Sequence, residues 1–352
     1  MGRASLFIVQ DPSAAVSNFE VAVALDPHSA RYWLDLAAAY QTAGDAAAQT
    51  RALQNAVQAE PTAPDVAWEA ANFYLVRNDL QRALPLYRVV IANDPTQAAP
   101  ALELCWRATK SVDMVVQALP SEPEKYIAFV NLLIGKHEIA AAESVWSRLI
   151  NLKRQFPVQQ AFPYLDYMIQ NRQGEKALQA WNQLASFDTS LREYSEPGNL
   201  ILNGGFENAF LNGGFDWRYQ PKDQVEVSLD TNEFHRGNRA LRMMFKGPAT
   251  PDTGISEYVA AEPNTAYRFL AYTKAQDITS ASGPRIALQD AYSGESYVLT
   301  DDSLGTTGWR QQSADFKTGP QVNMLAIKIV RVPGNALIKG TFWVDDLRLT
   351  KR

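Results

Sequence analysis

The chain has 352 residues, of which 46% are hydrophobic and 20% charged, with a formal net charge of −5 and a pI of about 5.4. That length suffices for two domains with separate cores. An acidic balance without any Lys/Arg-rich block speaks against a nucleic-acid or anionic-membrane surface.

The longest apolar runs, such as "SLFIV" and "VNLLIG", fall far short of the roughly 18–20 residues of a membrane span. The opening "MGRASLFIVQDP" lacks the basic start, long apolar centre and small-residue cleavage site of a signal peptide. Cys105 is the single cysteine, so no internal disulfide or thiolate metal cluster is expected. His28, His137 and His235 are too scattered for a local metal or catalytic motif.

In chain order, the first half is periodic. Pro27, Pro61 and Pro95 recur every 34 residues, each after an acid: Asp26, Glu60 and Asp94. Tyr40 and Tyr74 keep the interval, as do Leu53 with Tyr87 and Ala56 with Val90. "WLDLAAAY" spaces Trp33, Leu36, Ala37 and Tyr40 along a helix. A small residue followed four later by a large aromatic recurs as Ala83/Tyr87, Ala142/Trp146 and Ala177/Trp181. A small side chain lets two helices approach, and the bulky one fills the groove to the next pair. These positions and this period resemble the tetratricopeptide repeat.

The pattern departs from that family in three places. It opens mid-repeat, with Ala15, Phe19 and Ala22 matching only a second helix. The third unit, "AAPALELCWRATKSVDMVVQALP", is short by about a turn and a half to two turns of helix. The last two units lack the terminal proline. Residues 1–190 are therefore expected to form a degenerate helical solenoid whose first repeat is truncated, with Cys105 a buried packing residue. The resemblance implies a protein partner held along the groove, at Asp65, Trp68 and Asn72 and at Glu124, Ile127 and Asn131. The two asparagines could hold a peptide backbone through donor and acceptor together, or be ordinary polar groove residues.

Residues 191–198 read as a linker. From Asn199 onward, Gly and Pro punctuate short alternating runs, the pattern of an all-β sandwich. Expected strands are "QVEVSL", "RALRMMF", "GISEYVA", "AYRFLAYTKA", "RIALQDA", "WRQQSADF", "MLAIKIVRV" and "GTFWVDDLRL". The motifs "NLILNGGFEN", "HRGNRALRM", "ISEYVAAEPNTAYRFLAYTKA", "GWRQQSADF" and "FWVDDLRL" come in an order that resembles the carbohydrate-binding modules of families 4, 9 and 22, within the galactose-binding-like sandwiches. The fold class expected is thus two-domain: an α-helical solenoid, then an antiparallel jelly roll over residues 199–352.

The resemblance implies two sites. One is a structural calcium where the first and last strands meet. Alternation with Leu347 and Leu349 would point Asp345 inward, Glu207 of "GGFE" would be the second carboxylate, and backbone carbonyls around Arg236 and Asn238 would complete the set. These acids could equally cap turns without metal. The other site is for a glycan, which needs flat aromatic faces and hydroxyl-binding groups. Candidates are Trp217, Tyr219, Tyr292, Tyr297 and Trp309, with Asp216, Arg218, Arg285 and Gln289; Trp217 and Trp309 could instead belong to the core. No nucleophile elbow, phosphate loop or dinucleotide pattern is present, and no organic cofactor is implied.

The function expected is non-enzymatic: helical repeats dock a protein and the jelly roll binds a glycan. That pairing would suit bacterial cell-surface polysaccharide assembly or export in the cell envelope. The competing reading is a protein–protein scaffold whose sandwich no longer binds sugar.

Overall fold

The computed structural model describes residues 11–352, so the part of the expected array before Asp11 lies outside the described residues. The chain divides into two compact units, Met1–Arg154 and Gln155–Arg352. The sequence had suggested a border at 191–198. Instead, the last helical pair groups with the β-sandwich, for reasons of packing given below.

The first unit is a run of helix pairs: α1 (Pro12–Leu25), α2 (Ala30–Ala43), α3 (Ala46–Ala59), α4 (Pro64–Val76), α5 (Leu80–Asn93), α6 (Pro95–Thr109), α7 (Val112–Gln117), α8 (Pro123–Gly135) and α9 (Ile139–Asn151). The small/aromatic pairs lie inside: Ala83, Tyr87, Ala142 and Trp146 are all buried. A second period of 34 residues is carried by Asp11, Asp45 and Asp79. Each is an N-cap whose carboxylate accepts a backbone N–H three residues on, from Ala14, Ala48 and Arg82. The prolines act differently along the array. Pro27 and Pro61 follow a helix end, whereas Pro95 opens α6 at its first turn. Asp94 is at once the last cap of α5 and the first cap of α6, accepting from Thr96 and Gln97. The third unit is short because α7 has six residues. Cys105 is buried in α6, which pushes its thiol up to about 12.

The second unit begins with a 3-10 turn (Val158–Ala161), α10 (Phe162–Gln170), α11 (Gly174–Phe187) and a 3-10 turn (Thr189–Tyr194). Ten strands follow: β1 (Arg218–Tyr219), β2 (Val225–Asp230), β3 (Ala240–Gly247), β4 (Asp252–Ala260), β5 (Ala266–Thr279), β6 (Pro284–Asp290), β7 (Ser296–Leu299), β8 (Gly305–Lys317), β9 (Met324–Arg331) and β10 (Ile338–Lys351). They form two five-stranded antiparallel sheets, β1-β4-β9-β6-β7 and β2-β3-β10-β5-β8. Their facing sides enclose one core, including Ile255, Phe269, Ile327 and Phe342. All eight expected strands are present; β1 and β7 are additional.

"NLILNGGFEN" is not a strand. Asn199 takes a strand's place beside β10 with its side chain, donating to the Leu347 carbonyl at 2.9 Å and accepting from Leu349 N at 3.0 Å. Positive φ falls on Asn203 and Phe206 rather than on the glycines of this turn. Gly204 is required by proximity, since a Cβ there would lie 2.2 Å from the Leu347 carbonyl oxygen.

The same end of β10 carries a bulge. Register with β5 slips between Asp345 and Arg348, and Asp346 has φ 48°. Phe342 and Val344 therefore share the core with Leu347 and Leu349 despite the change of parity. Simple alternation placed Asp345 with the leucines; the bulge puts it on the opposite side, buried beneath the His235–Arg236 turn.

Trp217 is fully buried in this core, with its ring 5.1 Å from that of Phe206. Trp217→Ala should destabilise the sandwich by about 3–5 kcal/mol, read as a loss in denaturant midpoint against the natural chain.

Candidate functional site

The outer face of the β1-β4-β9-β6-β7 sheet carries three of the sequence-derived candidates, Arg218, Arg285 and Gln289. Cross-strand register sets Arg218, Ser256, Lys328, Ala287 and Leu299 in one row across all five strands. The next row holds Tyr258, Ala326 and Gln289. Residues directly opposite one another in antiparallel strands share a face.

Part of this face is covered by α10 and α11. The covering depends on the second Asn-Gly-Gly turn. A Cβ on Gly213 would sit 2.4 Å from the Phe162 ring, and one on Gly214 would sit 2.4 Å from the Trp181 ring. Phe215 then meets Trp181 edge to face at 6.1 Å. On the sheet, Met324 and Ala326 are buried although they point away from the core.

Between α10 and β1/β4 an aromatic-floored cavity of about 320 Å³ remains open. One wall is Asp166, Ile169 and Gln170, positions i, i+3 and i+4 on one helix face. The floor and far wall are Arg218, Tyr219, Gln220, Ser256, Tyr258 and Asn212. Arg218 bonds the Asp166 carboxylate and the Gly214 carbonyl, and its guanidinium lies 4.8 Å from the Tyr258 ring centre. Asn212 accepts from Tyr219 N at 2.9 Å. The Ser256 and Tyr258 hydroxyls and the Gln170 and Gln220 amides make no hydrogen bond among the described residues.

The candidate residues divide as follows. Tyr219 borders the cavity, but it pairs with the core residue Ile255 and its side chain packs against the core, so it gives the cavity no aromatic face. Trp217 shares its side of the chain, but that side faces the core, so Trp217 is corrected from a sugar platform to a packing residue. Asp216 is likewise buried, accepting from Leu211 N at 2.7 Å. Tyr292 lies just past β6 with Arg172 5.4 Å over its ring, and burial pushes its phenol up to about 12. Arg285, on the same face, approaches Asp302 at 3.5 Å and the Thr300 carbonyl at 3.4 Å. Gln289 shares that face, whereas Tyr297 stacks on Phe316. Trp309 is elsewhere: it belongs to the other sheet, 5.8 Å from His235, which itself stacks on Tyr272 at 3.6 Å. Asp166, Gln170 and Tyr258 were missed. Asp166 and Gln170 arrive from a helix some fifty positions upstream, which no local pattern announces.

In the helical unit a cavity of about 360 Å³ is lined by Leu34, Gln41, Trp68, Asn72, Phe73 and Arg77, among others. Asp65, Glu124 and Asn131 are exposed and do not line it. Asn72 is engaged within the unit, donating to the Trp68 carbonyl at 2.9 Å and accepting from the Tyr87 hydroxyl at 2.9 Å. Of the two readings open for Asn72, these bonds suit the ordinary polar residue.

Glu207 and Asp345 converge on one turn. Glu207 Oε1 accepts from Asn238 N at 2.8 Å and Arg239 N at 3.3 Å, while its Oε2 makes no hydrogen bond among the described residues. Asp345 accepts from His235 N, Arg236 N and Asp346 N, and burial raises its carboxyl to about 6. Neither has a basic side chain as partner among the described residues. Among the described residues no group of three or more His, Cys, Asp or Glu could hold a metal. Two hard carboxylates with one oxygen unbonded fit calcium in chemistry, provided backbone oxygens supply the remaining ligands.

No known family's sequence model matches the chain, and no curated protein matches it. Solved structures do. The sandwich is similar to a CBM4 module (14% identity, 43% of this chain and 99% of that one, TM-score 0.33). It is similar to the CBM22-1 xylan-binding domain from Paenibacillus barcinonensis Xyn10C (14% identity, 45% and 97% coverage, TM-score 0.32). It is also similar to TmCBM61 in complex with beta-1,4-galactotriose (20% identity, 44% and 99% coverage, TM-score 0.31). Identities this low transfer no residue's role. Among the described residues no helix is long and apolar enough to cross a membrane.

Beneath the cavity's edge lie two interior acids. Glu257 accepts from Leu202 N at 2.8 Å, and its other oxygen is buried without a partner, as is one oxygen of Asp216. Burial raises Asp216 from 3.8 to about 7 and pushes Glu257 well above the ordinary range; their mutual repulsion raises Glu257 further, while Arg218 opposes both shifts. Folded-state values above the unfolded ones mean stability is full below the unfolded pKa and is lost as pH rises through the folded one. Between about pH 5 and about pH 8, Asp216→Asn should therefore gain melting temperature relative to the natural chain. Parallel melting curves for the two proteins across that range would contradict the assignment.

Proposed function

We propose that this protein is a binding protein whose β-sandwich takes a short stretch of glycan in the cavity beside α10. The observation that carries this reading is the composition of that cavity: the Tyr258 ring beside the Ser256 and Tyr258 hydroxyls and the Gln170 and Gln220 amides, which have no partners among the described residues. Aromatic faces suit the apolar side of a pyranose, and unpaired polar groups suit its hydroxyls. The cavity holds no arrangement of nucleophile and base, so the reading is recognition rather than catalysis.

Stacking on a single tyrosine ring that already has the Arg218 guanidinium beside it gives weak binding, in the millimolar to micromolar range, or about 4–8 kcal/mol. Calorimetry against a glycan panel should find a ligand. Tyr258→Ala should weaken it by about tenfold or more, about 1.4 kcal/mol, with the melting temperature nearly kept. If that variant binds as the natural chain does, the site lies elsewhere. If no glycan binds the natural chain, the scaffold reading takes its place.

In the same proposal the helical unit docks a protein through the groove at Trp68. A glycan-holding module joined to a docking module would suit polysaccharide assembly or export at a cell surface. Calcium would be held by Glu207 and Asp345, with backbone oxygens near Arg236 and Asn238, and would clamp the "GGFE" turn to β10. Saturation at about 100 times its dissociation constant would add about 2.7 kcal/mol. Chelator should then lower the melting temperature, and Glu207→Gln should remove the response. Superimposable curves with calcium and with chelator would dismiss the ion.

A further inference from the structure

Four cations, Arg218, Arg285, Lys328 and Arg172, stand on or beside the cleft face of a chain whose net charge is −5. Two of its cations are matched: Arg218 by Asp166, and Arg285 by Asp302. Lys328 is not. It stands on β9 at the middle of the outer row, between Ser256 of β4 and Ala287 of β6. It is half-buried and forms no ion pair or hydrogen bond among the described residues. Arg172, over the Tyr292 ring, likewise has no carboxylate partner among them. Two acids nearby hydrogen-bond within their own turns and pair with neither cation: Asp290 accepts from Tyr292 N and the Ser293 hydroxyl, and Asp252 accepts from Gly254 N.

Adjacent strands lie about 4.8 Å apart, so Lys328 sits roughly 10 Å from Arg218 across the sheet, within the reach of one bound sugar and its neighbour. An ammonium without a counter-ion is free to form a charge-assisted hydrogen bond with an arriving anion. Resting on the glycan reading above, we propose that the glycan of this cleft is anionic, with a carboxylate or sulfate group neutralised by Lys328 and a second contact at Arg172.

The test is binding of the whole chain to a panel of oligosaccharides in matched pairs: uronic-acid oligomers with their carboxyl-reduced counterparts, and sulfated oligomers with their desulfated ones. The expected result is a preference of about tenfold for the acidic member of a pair, about 1.4 kcal/mol. The preference should fade with added salt, persist in Lys328→Arg and vanish in Lys328→Gln. Whether the carboxylate or the sulfate pair shows it identifies the anion. Equal binding of acidic and neutral members, with Tyr258→Ala still weakening both, would overturn the charge inference and leave glycan recognition standing. So would a preference that survives Lys328→Gln. Displacement of the glycan by oligoglutamate at equal concentration would overturn it too, as attraction of any polyanion. Absence of binding by every member would overturn the glycan reading itself.

Discussion

Two glycine Cα atoms pressed against two aromatic rings set the arrangement of the second unit. Gly213 meets Phe162 and Gly214 meets Trp181, with no room for a methyl group at either position. Burying rings of this size contributes about 1.5–3 kcal/mol each. The contact brings α10 and α11 onto the sheet edge, buries Met324 and Ala326, and makes α10 a wall. Without that wall the floor around Tyr258 would be open sheet. The cavity is thus made jointly by helix and strand, and its ion pair, Arg218 with Asp166, ties the two together.

A second theme is the use of carboxylates and amides in place of a regular first strand. Between Asn199 and Asp216 the backbone is irregular, and its N–H groups need acceptors. They find them in the side chains of Asn199, Asn203, Glu257 and Asp216. Inward acids are costly in an apolar interior, and the raised values for Glu257 and Asp216 express that cost. Glu207 and Asp345 do the corresponding work for the 235–239 turn.

Much of the fold was legible because periodicity survives in the chain. The strands from β2 to β10 that alternate for six residues or more were readable, whereas β1 and β7 are too short to alternate. Three inferences met limits that are physical. That Trp217 and Tyr219 share a side followed from strand geometry, but nothing local says whether that side faces solvent or core. The parity argument for Asp345 assumed an unbroken strand, and one residue of bulge at Asp346 reversed it. The cavity could be glimpsed only through Tyr219 and Arg218, since Tyr258 reads as ordinary strand and Asp166 as ordinary helix surface. In the helical half, the caps Asp11, Asp45 and Asp79 carried the same period as the prolines and would have fixed the helix starts directly.

The strand β8 closes one side of its sheet with thirteen residues and, among the described residues, no further strand beside it. An edge of that length is a template on which a stray chain can polymerise. Here the register against β5 breaks twice along its first half, and Gly305 and Gly308 interrupt the run of side chains. Farther along, Arg310, Asp315 and Lys317 stand exposed on it. Irregular hydrogen-bonding groups and alternating charge make this edge a poor template, so the sandwich can display a long free border and still stay unattached.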